Sequence, residues 1–598
     1  MDRARPRIYT ARMQSNVELL GALRRYWGYD SFRPMQERIV RSLLDGHDTC
    51  VVMPTGGGKS LCYQLPAALL GNRTVIVISP LIALMQDQVA QLAQMGIPAA
   101  LLNSTLGSGE QSAIMSRAVE GQYRLLYLSP ERLTRPDTIK WLERLPVSFF
   151  AIDEAHCISE WGHEFRPEYR QLSSLRSYFP GCHIAAFTAS ATKQVRHDIV
   201  EQLELREAHK YIASFHRRNL RYVVKECDGG TQAALLLNAL RAYAGENVIV
   251  YAPTITRVEG TVAFLNQAGI AAIGYHGKMD SATRRANQEK WMSQEVPVLV
   301  GTIAFGLGIN KASVRAVIHL SLPKSIEQYY QEAGRAGRDG LPADCVLLWR
   351  KKDAGLLAHF IEQVSDPAER ERAWQRYHIV RSFVKSRACR HRQICLHFGE
   401  RPKWQSCQAC DVCGCEINWL SRAEPVSVLR SKRAPNPAAL TRAAAATAAA
   451  SITFRRAPRS SAETPRCLST SSNAGNPVAG WWGAKRGSGR TVGSGTADDG
   501  RARPGRRMDS DGSSVGEIDP ELRAYMREWR RSAAKQTRTP AFIIMHDSSL
   551  DSLCRVHPRT LSELQTVSGF GERKTELYGA QILEALARFR NGARAGAI

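Results

Sequence analysis

The segment Met53–Ser60, MPTGGGKS, constrains the fold more than any other part of the chain. It follows the apolar run TCVV and precedes the helical pattern LCYQLPAALL. Its glycines let backbone N–H groups crowd a phosphate chain, Lys59 would reach the outer phosphates, and the Ser60 hydroxyl would ligate Mg²⁺. Met53 replaces the first glycine of the general pattern, but the strand–loop–helix context disfavours a Gly-rich turn without nucleotide. The predicted nucleotide-binding residues here are Thr55, Gly56, Gly57, Gly58, Lys59 and Ser60.

Short apolar runs alternate with helical patterns from about residue 17 to residue 350. One series is TCVVMPT, RTVIVISP, YRLLYLSP, SFFAIDEAH and HIAAFTASA, and a second is NVIVYAPT, AAIGYHG, VPVLVGT, RAVIHLSL and DCVLLWR. Continuous apolar strands separated by helices are typical of parallel sheets that are covered on both faces. The break near FHRRNLRYVVKE predicts two tandem α/β lobes, over residues 17–212 and 213–350.

The rest of the chain divides by composition. Residues 1–16 form a short tail, and residues 351–416 turn helical and then cysteine-rich. Residues 417–514 are rich in Ala, Ser, Gly and Arg, so we predict a disordered basic linker that buries too little surface to offset its chain entropy. Helical amphipathicity returns over residues 515–590 and predicts a small all-α domain.

The formal net charge of +25 favours a polyanionic partner, because each phosphate neutralised by Lys or Arg releases counterions. A solvated basic surface is the alternative. The sequence has no run of about 18 apolar residues that would span a membrane, and its basic first residues lack the apolar core of a secretory signal. The 14 cysteines are scattered apart from one cluster, which indicates a reducing compartment and a cytoplasmic protein.

Two carboxylates follow the apolar run FFAI. Asp153 and Glu154 would lie at the carboxyl edge of the first sheet, beside the phosphate loop. There Asp153 can hold Mg²⁺ and Glu154 can polarise the attacking water. A surface acidic pair is common, but its distance from the phosphate loop favours catalysis.

The second lobe contains QEAGRAGRDG, which places Arg335 and Arg338 three residues apart. We predict that both lie on one helical face and reach across a cleft to the γ-phosphate as arginine fingers. TIAFGLGIN, over residues 302–310, is a second Gly-rich loop on the same edge.

In this order the motifs resemble those of the superfamily-2 helicases. YDSFRPMQ before the phosphate loop and EWGHEFRPEY after DEAH narrow the resemblance to the RecQ family of DNA helicases, over about 17–416 and 516–590. The resemblance implies two RecA-like lobes and adenine recognition by Tyr29, Arg33 and Gln36. It also implies that VISPLIALMQDQ contacts DNA and that AFTASAT couples to hydrolysis.

The segment 153–169, DEAHCISEWGHEFRPEY, joins the hydrolysis motif to aromatic and cationic residues. Aromatic rings stack on the bases of a single strand, and Arg pairs with its phosphates. The resemblance implies that Trp161, Phe165 and Arg166 sense DNA and that His163 lies near the nucleotide. Ordinary core positions for the two aromatic residues are the alternative, which their alternation with small and polar residues disfavours.

The cysteine cluster has the spacing C-x17-C-x2-C-x2-C, formed by Cys389, Cys407, Cys410 and Cys413. Four thiolates at this spacing suit tetrahedral Zn²⁺, although an iron–sulfur cluster also takes four cysteines. The resemblance favours zinc. Cys395 and Cys415 are nearby thiols that could replace a ligand. The basic helical stretch before the cluster has interleaved aromatics and would either contact DNA or form a zinc-supported platform.

The C-terminal segment resembles the HRDC domain, a helical module that binds nucleic acid or protein. Its SGFGERK sequence predicts a glycine turn at a helix N-terminus where backbone amides could meet a phosphate. The family usually has a winged helix before this domain, but residues 417–514 show no pattern able to fold as one. This member either lacks the wing or departs here from an ancestral reading frame.

We therefore expect an ATP-dependent DNA helicase that translocates 3′ to 5′ on single strands in DNA repair or recombination. ATP, Mg²⁺ and Zn²⁺ are the expected cofactors, and the direction rests on the resemblance alone. We expect a monomer that acts on single-stranded and forked DNA, alongside single-strand-binding or repair proteins. The alternatives are a DNA-stimulated ATPase or translocase that unwinds little, and a non-enzymatic annealing or scaffold protein.

Overall fold

Two parallel sheets form the body of the protein. The computed structural model describes residues 16–103, 106–162, 164–302, 311–421, 518–537 and 539–596. Within these ranges the first sheet has the order β3-β4-β2-β5-β6-β1-β7. Its strands are β1 (Thr49–Val52), β2 (Thr74–Ile78), β3 (Ala99–Leu102), β4 (Leu125–Leu128), β5 (Val147–Ile152), β6 (His183–Thr188) and β7 (His209–Ile212).

The second sheet is also parallel and has the order β10-β11-β9-β12-β13-β8. Its strands are β8 (Leu220–Glu226), β9 (Asn247–Tyr251), β10 (Ala272–Tyr275), β11 (Val298–Gly301), β12 (Val314–His319) and β13 (Ala343–Trp349). These sheets confirm the predicted class of two tandem RecA-like lobes. All ten predicted apolar runs are strands, whereas β3, β7 and β8 were not predicted.

Helices cover both lobes. The first lobe has Asn16–Trp27, Gln36–Leu44, Lys59–Leu69, Ile82–Gln94, Ser108–Val119, Pro130–Leu133, Pro136–Leu142, Pro167–Arg170, Leu175–Tyr178 and Lys193–Gln202, with 3-10 turns at Ala155–Ile158 and Gln171–Ser174. The second lobe has Gly229–Ala242, Ile255–Gln267, Ser281–Met292 and Ile326–Ala333. In the second lobe each helix begins after a side chain that caps it, namely Asp228, Thr254, Asp280 and Ser325.

The central strands are buried along their whole length, as expected for sheets covered on both faces. Because the strands are parallel, all their carboxyl ends open on one edge. In the first sheet β6 lies between β1 and β5. The loops that follow β1 and β5 therefore lie close together, and this edge carries the candidate site.

Helices Lys351–Glu362, Pro367–Lys385, Arg390–His397 and Asn418–Ser421 follow the second lobe, with a 3-10 turn at Asp411–Cys413. The C-terminal domain contains helices Pro520–Thr537, Ala541–Ile544, Asp547–Val556, Leu561–Gln565 and Glu572–Arg590 around its own apolar core. The predicted disordered linker and missing wing fall almost wholly on residues 422–517, outside the described ranges. In the described part of the chain, no helix is both long and apolar enough to cross a membrane.

Candidate active site

The phosphate loop has the backbone that its glycines allow. Gly56 and Gly58 have φ angles of 81° and 84°, a region that side chains other than hydrogen disfavour. A Cβ on Gly58 would lie 2.3 Å from Nε2 of Gln36, so a side chain here would also displace the Gln36 amide. Lys59 begins the helix Lys59–Leu69, and its Nζ donates to the Met53 carbonyl at 3.4 Å. The loop is therefore shaped to hold an anion at a helix N-terminus.

The residues expected to read adenine lie beside this loop. Gln36 donates through Nε2 to the Gly58 carbonyl at 3.1 Å, and its Oε1 accepts from the Arg33 backbone N–H at 2.9 Å. The Arg33 guanidinium donates to the Gly56 carbonyl. Tyr29 is 38% exposed at the turn before them. Residues 29–36 thus lie between the phosphate loop and the exposed Tyr29 ring, on which a base could stack.

Asp153 follows β5 and is buried next to the phosphate loop. Its Oδ1 accepts from the Glu154 backbone N–H at 3.0 Å. Burial and the Glu154 carboxylate raise the pKa of Asp153 to about 7, and Lys59 opposes this rise. Gln88 donates to the Ser60 hydroxyl at 3.3 Å. The serine hydroxyl and this carboxylate are hard oxygen donors of the kind that Mg²⁺ takes, and a cation there would favour the charged carboxylate.

Glu154 is tied to the end of the neighbouring strand β6. Its Oε2 lies 3.3 Å from Nδ1 of the buried His156, which is 3.0 Å from the Thr188 hydroxyl. Thr188 belongs to the AFTASAT segment. The hydrolysis motif and this segment therefore share one polar network, which can transmit a shift of either to the other.

The two arginines of the second lobe come from turns rather than from a helical face. The helix Ile326–Ala333 ends before Arg335, which corrects the expectation of a shared helical face. Nevertheless Arg338 lies against the phosphate loop, since a Cβ on Gly56 would be 3.1 Å from its Cγ. Burial and the neighbouring Arg335 lower the pKa of Arg338 to about 9. A polyphosphate between the lobes would relieve this repulsion.

Arg217 and Asn219 hold the turn that carries these arginines, and our sequence reasoning missed both. Arg217 donates to the carbonyls of Gly334, Ala336 and Gly337 at 2.7, 3.0 and 2.7 Å. Asn219 donates to the Gly337 carbonyl at 2.8 Å. The two residues stand in HRRNL, before β8. Their polarity next to an apolar strand was the available signal, but their partners lie more than 100 residues away.

The segment after DEAH is packed at Gly162 and Tyr169 and exposed at Trp161. Tyr169 is buried and donates to the Asp153 carbonyl at 2.9 Å. A Cβ on Gly162 would lie 2.6 Å from the His156 carbonyl, so only glycine fits there. Trp161 is 51% exposed, which contradicts the alternative of an ordinary core residue. We call residues 159–166 the aromatic loop.

Within this loop, Phe165 and Arg166 are half-buried, and the Arg166 backbone N–H donates to the Cys157 carbonyl at 2.9 Å. His163, expected near the nucleotide, lies outside the described residues, as do residues 303–310 of the second Gly-rich loop. The loop therefore presents aromatic and cationic groups immediately beside the hydrolysis motif.

The four predicted cysteines converge. The Sγ atoms of Cys389, Cys407, Cys410 and Cys413 all lie within 4.8 Å of one another, which fits four thiolates about one tetrahedral metal. Cys395 and Cys415 are not part of this group, so they do not replace a ligand. The knuckle docks on β8, where the Tyr222 backbone N–H donates to the Ala409 carbonyl at 3.1 Å.

Comparison with known families agrees with these groupings. Residues 33–198 match the DEAD/DEAH box helicase family, and residues 231–340 match the helicase conserved C-terminal domain. Residues 351–414 match the RecQ zinc-binding family, and residues 519–586 match the HRDC domain. The chain belongs to the RecQ family. The cysteine cluster is thus the zinc site of a RecQ-type subdomain, which decides against an iron–sulfur cluster.

Relatives in this family are similar over about 394 residues. The chain is 42% identical to the ATP-dependent DNA helicase RecQ of Haemophilus influenzae, over 66% of this chain and 63% of that protein. It is 39% identical to the ATP-dependent DNA helicase RecQ of Bacillus subtilis, over 66% of each. The match thus spans a little under two thirds of the length of these curated relatives.

The HRDC-like domain differs from expectation at its glycine turn. A Cβ on Gly571 would lie 2.3 Å from the Arg25 carbonyl, so the N-terminus of helix Glu572–Arg590 packs on helix Asn16–Trp27. Arg25 also pairs with Glu572 at 3.1 Å. The predicted phosphate-binding amides are therefore covered by the first lobe of this RecQ chain.

Proposed function

We propose that this chain is an ATP-dependent DNA helicase that translocates 3′ to 5′ on single strands during repair or recombination. The single observation that carries the proposal is the meeting of Arg338 with Gly56, which brings a second-lobe arginine to the phosphate loop. Sensing of γ-phosphate by an arginine from the opposite lobe couples hydrolysis to movement of the cleft. The direction is that of the RecQ family.

Each residue of the site has a role in hydrolysis. Lys59 neutralises the outer phosphates, and Ser60 and Asp153 would hold Mg²⁺, which would offset the charge of the phosphates. Glu154 orients the attacking water and accepts its proton. Arg335 and Arg338 stabilise the charge that develops on the transferred phosphoryl group.

DNA enters the scheme through the aromatic loop. Trp161 and Phe165 would stack on bases, and Arg166 would pair with a backbone phosphate. Because Tyr169, in the short helix that follows this loop, donates to the Asp153 carbonyl, ordering of the loop on DNA would adjust the hydrolysis residues. His163 belongs to this scheme as a nucleotide-proximal residue. The cysteine cluster, with Zn²⁺ bound, would stabilise the helical subdomain beside this loop.

The expected substrates are single-stranded and forked DNA, bound by a monomer working with single-strand-binding or repair proteins. We place the protein in the cytoplasm, on the nucleoid if the source is bacterial. A second candidate, a DNA-stimulated translocase that unwinds little, is favoured by the lack of a winged-helix pattern in residues 417–514.

Strand separation of 3′-tailed and 5′-tailed duplexes with ATP and Mg²⁺ tests the proposal. Lys59→Ala is the inactive variant, and Lys140→Ala, an exposed lysine on helix Pro136–Leu142, is its matched control. We expect unwinding of the 3′-tailed duplex alone, lost only in Lys59→Ala. DNA-stimulated hydrolysis without unwinding would identify the translocase. DNA annealing that survives Lys59→Ala, with no hydrolysis in the wild type, would identify a scaffold protein.

A further inference from the structure

Glu160, the residue before Trp161 in the aromatic loop, lies between two arginines from different parts of the molecule. Its Oε1 is 2.6 Å from Nη2 of Arg170, and its Oε2 is 3.5 Å from Nη1 of Arg372. The carboxylate therefore joins the first lobe to the helix Pro367–Lys385 of the zinc-binding subdomain.

Arg372 is held in place from its own helix. Its Nε donates to Glu369 at 3.0 Å, and its side chain is only 18% exposed. Arg376 pairs with the same Glu369 carboxylate. An arginine with its rotamer fixed in this way loses little further entropy when it binds Glu160, so the contact is worth more than one between two mobile surface side chains.

The opposite arginine leads into the aromatic loop. The guanidinium of Arg170 lies over the Phe165 ring, 5.2 Å from its centroid, in cation–π geometry. Glu160 thus orients Arg170, Arg170 orients Phe165, and Trp161 is covalently next to Glu160. Of the two aromatic residues expected to contact DNA, Trp161 is therefore the next residue to this carboxylate in the chain, and Phe165 is linked to it through Arg170.

The zinc-subdomain helix also touches the second lobe. Its Phe383 ring lies 5.8 Å from the ring of Tyr329, on the helix Ile326–Ala333 that precedes the two arginines of the active site. One rigid helix therefore contacts the aromatic loop at Arg372 and the arginine-bearing segment at Phe383. This helix thus connects the aromatic loop of the first lobe, proposed to face DNA, with the arginine-bearing segment of the second lobe, proposed to face the phosphates.

We propose that Glu160 and Arg372 are positioning residues, through which the zinc-binding subdomain holds the aromatic loop in its DNA-competent arrangement. The inference rests on the proposed DNA-dependent hydrolysis and names a regulator of it. Neither side chain touches nucleotide in this scheme. Their loss raises the amount of DNA needed to stimulate hydrolysis and leaves turnover without DNA unchanged in Arg372→Gln.

The test is a double-mutant cycle of Glu160→Gln and Arg372→Gln in the full chain, with single-stranded DNA of one length as the probe. Lys385→Gln is the matched control, because it removes one positive charge from an exposed position on the same helix. ATP hydrolysis is measured without DNA and across a DNA titration, and bound zinc is counted for each variant.

We expect either single variant to raise the DNA concentration for half-maximal stimulation about two- to fivefold, in the range of a partly exposed ion pair. The double variant should be no worse than the singles, with zinc content retained. The inference would be overturned if the two single effects on the half-maximal DNA concentration multiplied in the double variant. It would also be overturned if Arg372→Gln gave the same DNA titration as Lys385→Gln. Either result would leave the proposed function standing. A wild type whose hydrolysis ignores DNA would overturn the proposed function as well.

Discussion

Arg217 shows how a single side chain outside the nucleotide-binding motifs can govern the site. Its three hydrogen bonds, to the carbonyls of Gly334, Ala336 and Gly337, fix the turn that presents Arg335 and Arg338. A turn of this kind has no regular backbone pairing of its own, so its conformation depends on the side chains that satisfy its carbonyls. The position of Arg335 and Arg338 therefore depends on a residue more than 100 positions earlier in the chain.

Arg217→Ala should lower kcat for ATP hydrolysis about 10- to 100-fold, because loss of the clamp displaces groups that act on the phosphoryl oxygens. KM for ATP should change less, since the residues proposed to hold adenine and the outer phosphates lie in the first lobe. Steady-state kinetics with saturating DNA measure both constants. The neighbouring exposed Arg218→Ala is the control. Equal effects of the two substitutions would contradict the clamp.

The aromatic loop is held at several points along its length and still leaves an aromatic ring in water. Gly162 within the loop and Tyr169 three residues after it pack against the DEAH segment, while Trp161 stays half-exposed at a cost in apolar surface left in water. A DNA sensor needs an exposed aromatic residue next to a buried hydrolysis motif. When DNA orders the exposed residue, the buried catalytic carboxylates beside it can shift.

Trp161→Ala should raise the DNA concentration for half-maximal ATPase stimulation about tenfold or more, as expected from the loss of base stacking. The rate without DNA should change little. A DNA titration of the ATPase measures this, with Tyr178→Ala as the control because Tyr178 is equally exposed. If the DNA concentration for half-maximal stimulation did not change, Trp161 would be an ordinary exposed residue with no role in DNA sensing.

The cysteine knuckle is the second element that local sequence defines, and its ligand set can be tested directly. Cys410→Ser should lose the bound zinc equivalent and lower the thermal stability of the subdomain, because metal binding contributes to its folding free energy. Cys415→Ser should keep the zinc, since its Sγ lies outside the cluster. Metal analysis of both purified variants measures the bound zinc. If Cys410→Ser retained its zinc, this ligand set would be excluded.

The HRDC-like domain contacts both lobes. Its helix Ala541–Ile544 packs against helix Ile82–Gln94, and Tyr578 donates to Gln94 at 2.8 Å. On the second lobe, the Ser313 hydroxyl donates to Asp547 at 2.7 Å. In the proposed mechanism the two lobes move relative to each other, and contacts of one small domain with both would couple its position to that motion.

Asp547 is the centre of this contact. Burial alone would raise its pKa, but Arg530, paired with it at 2.8 Å, and Lys311 hold the pKa well below its ordinary value. A carboxyl with a lowered pKa stabilises the folded state above its unfolded pKa of 3.8, and this contribution is lost as the pH falls below that value.

Asp547→Ala should therefore destabilise the domain at neutral pH by about 3–5 kcal/mol, because it leaves buried cations uncompensated. Chemical unfolding followed by circular dichroism measures the change. Glu584→Ala, which breaks an exposed pair with Arg588, should cost no more than about 0.5 kcal/mol. Similar losses in the two variants would show that the Asp547 cluster is not a buried ion site.

Local sequence determined much of this protein. The phosphate loop, the buried strands, the DEAH carboxylates and the cysteine spacing were all predicted, because glycine conformation, apolar runs and ligand spacing act over a few residues. The family followed from these motifs and is confirmed by the comparisons. The roles of the individual site residues remain predictions.

Only the tertiary structure decided the rest. Strand β7 lies at an edge of its sheet and is largely exposed, so it lacks the apolar run that marks a central strand. Arg217 meets Gly337 across 120 residues, and Gly571 meets Arg25 across a still longer separation. Such contacts join residues that are distant in sequence and depend on how the whole chain folds. No pattern of neighbouring residues predicts them.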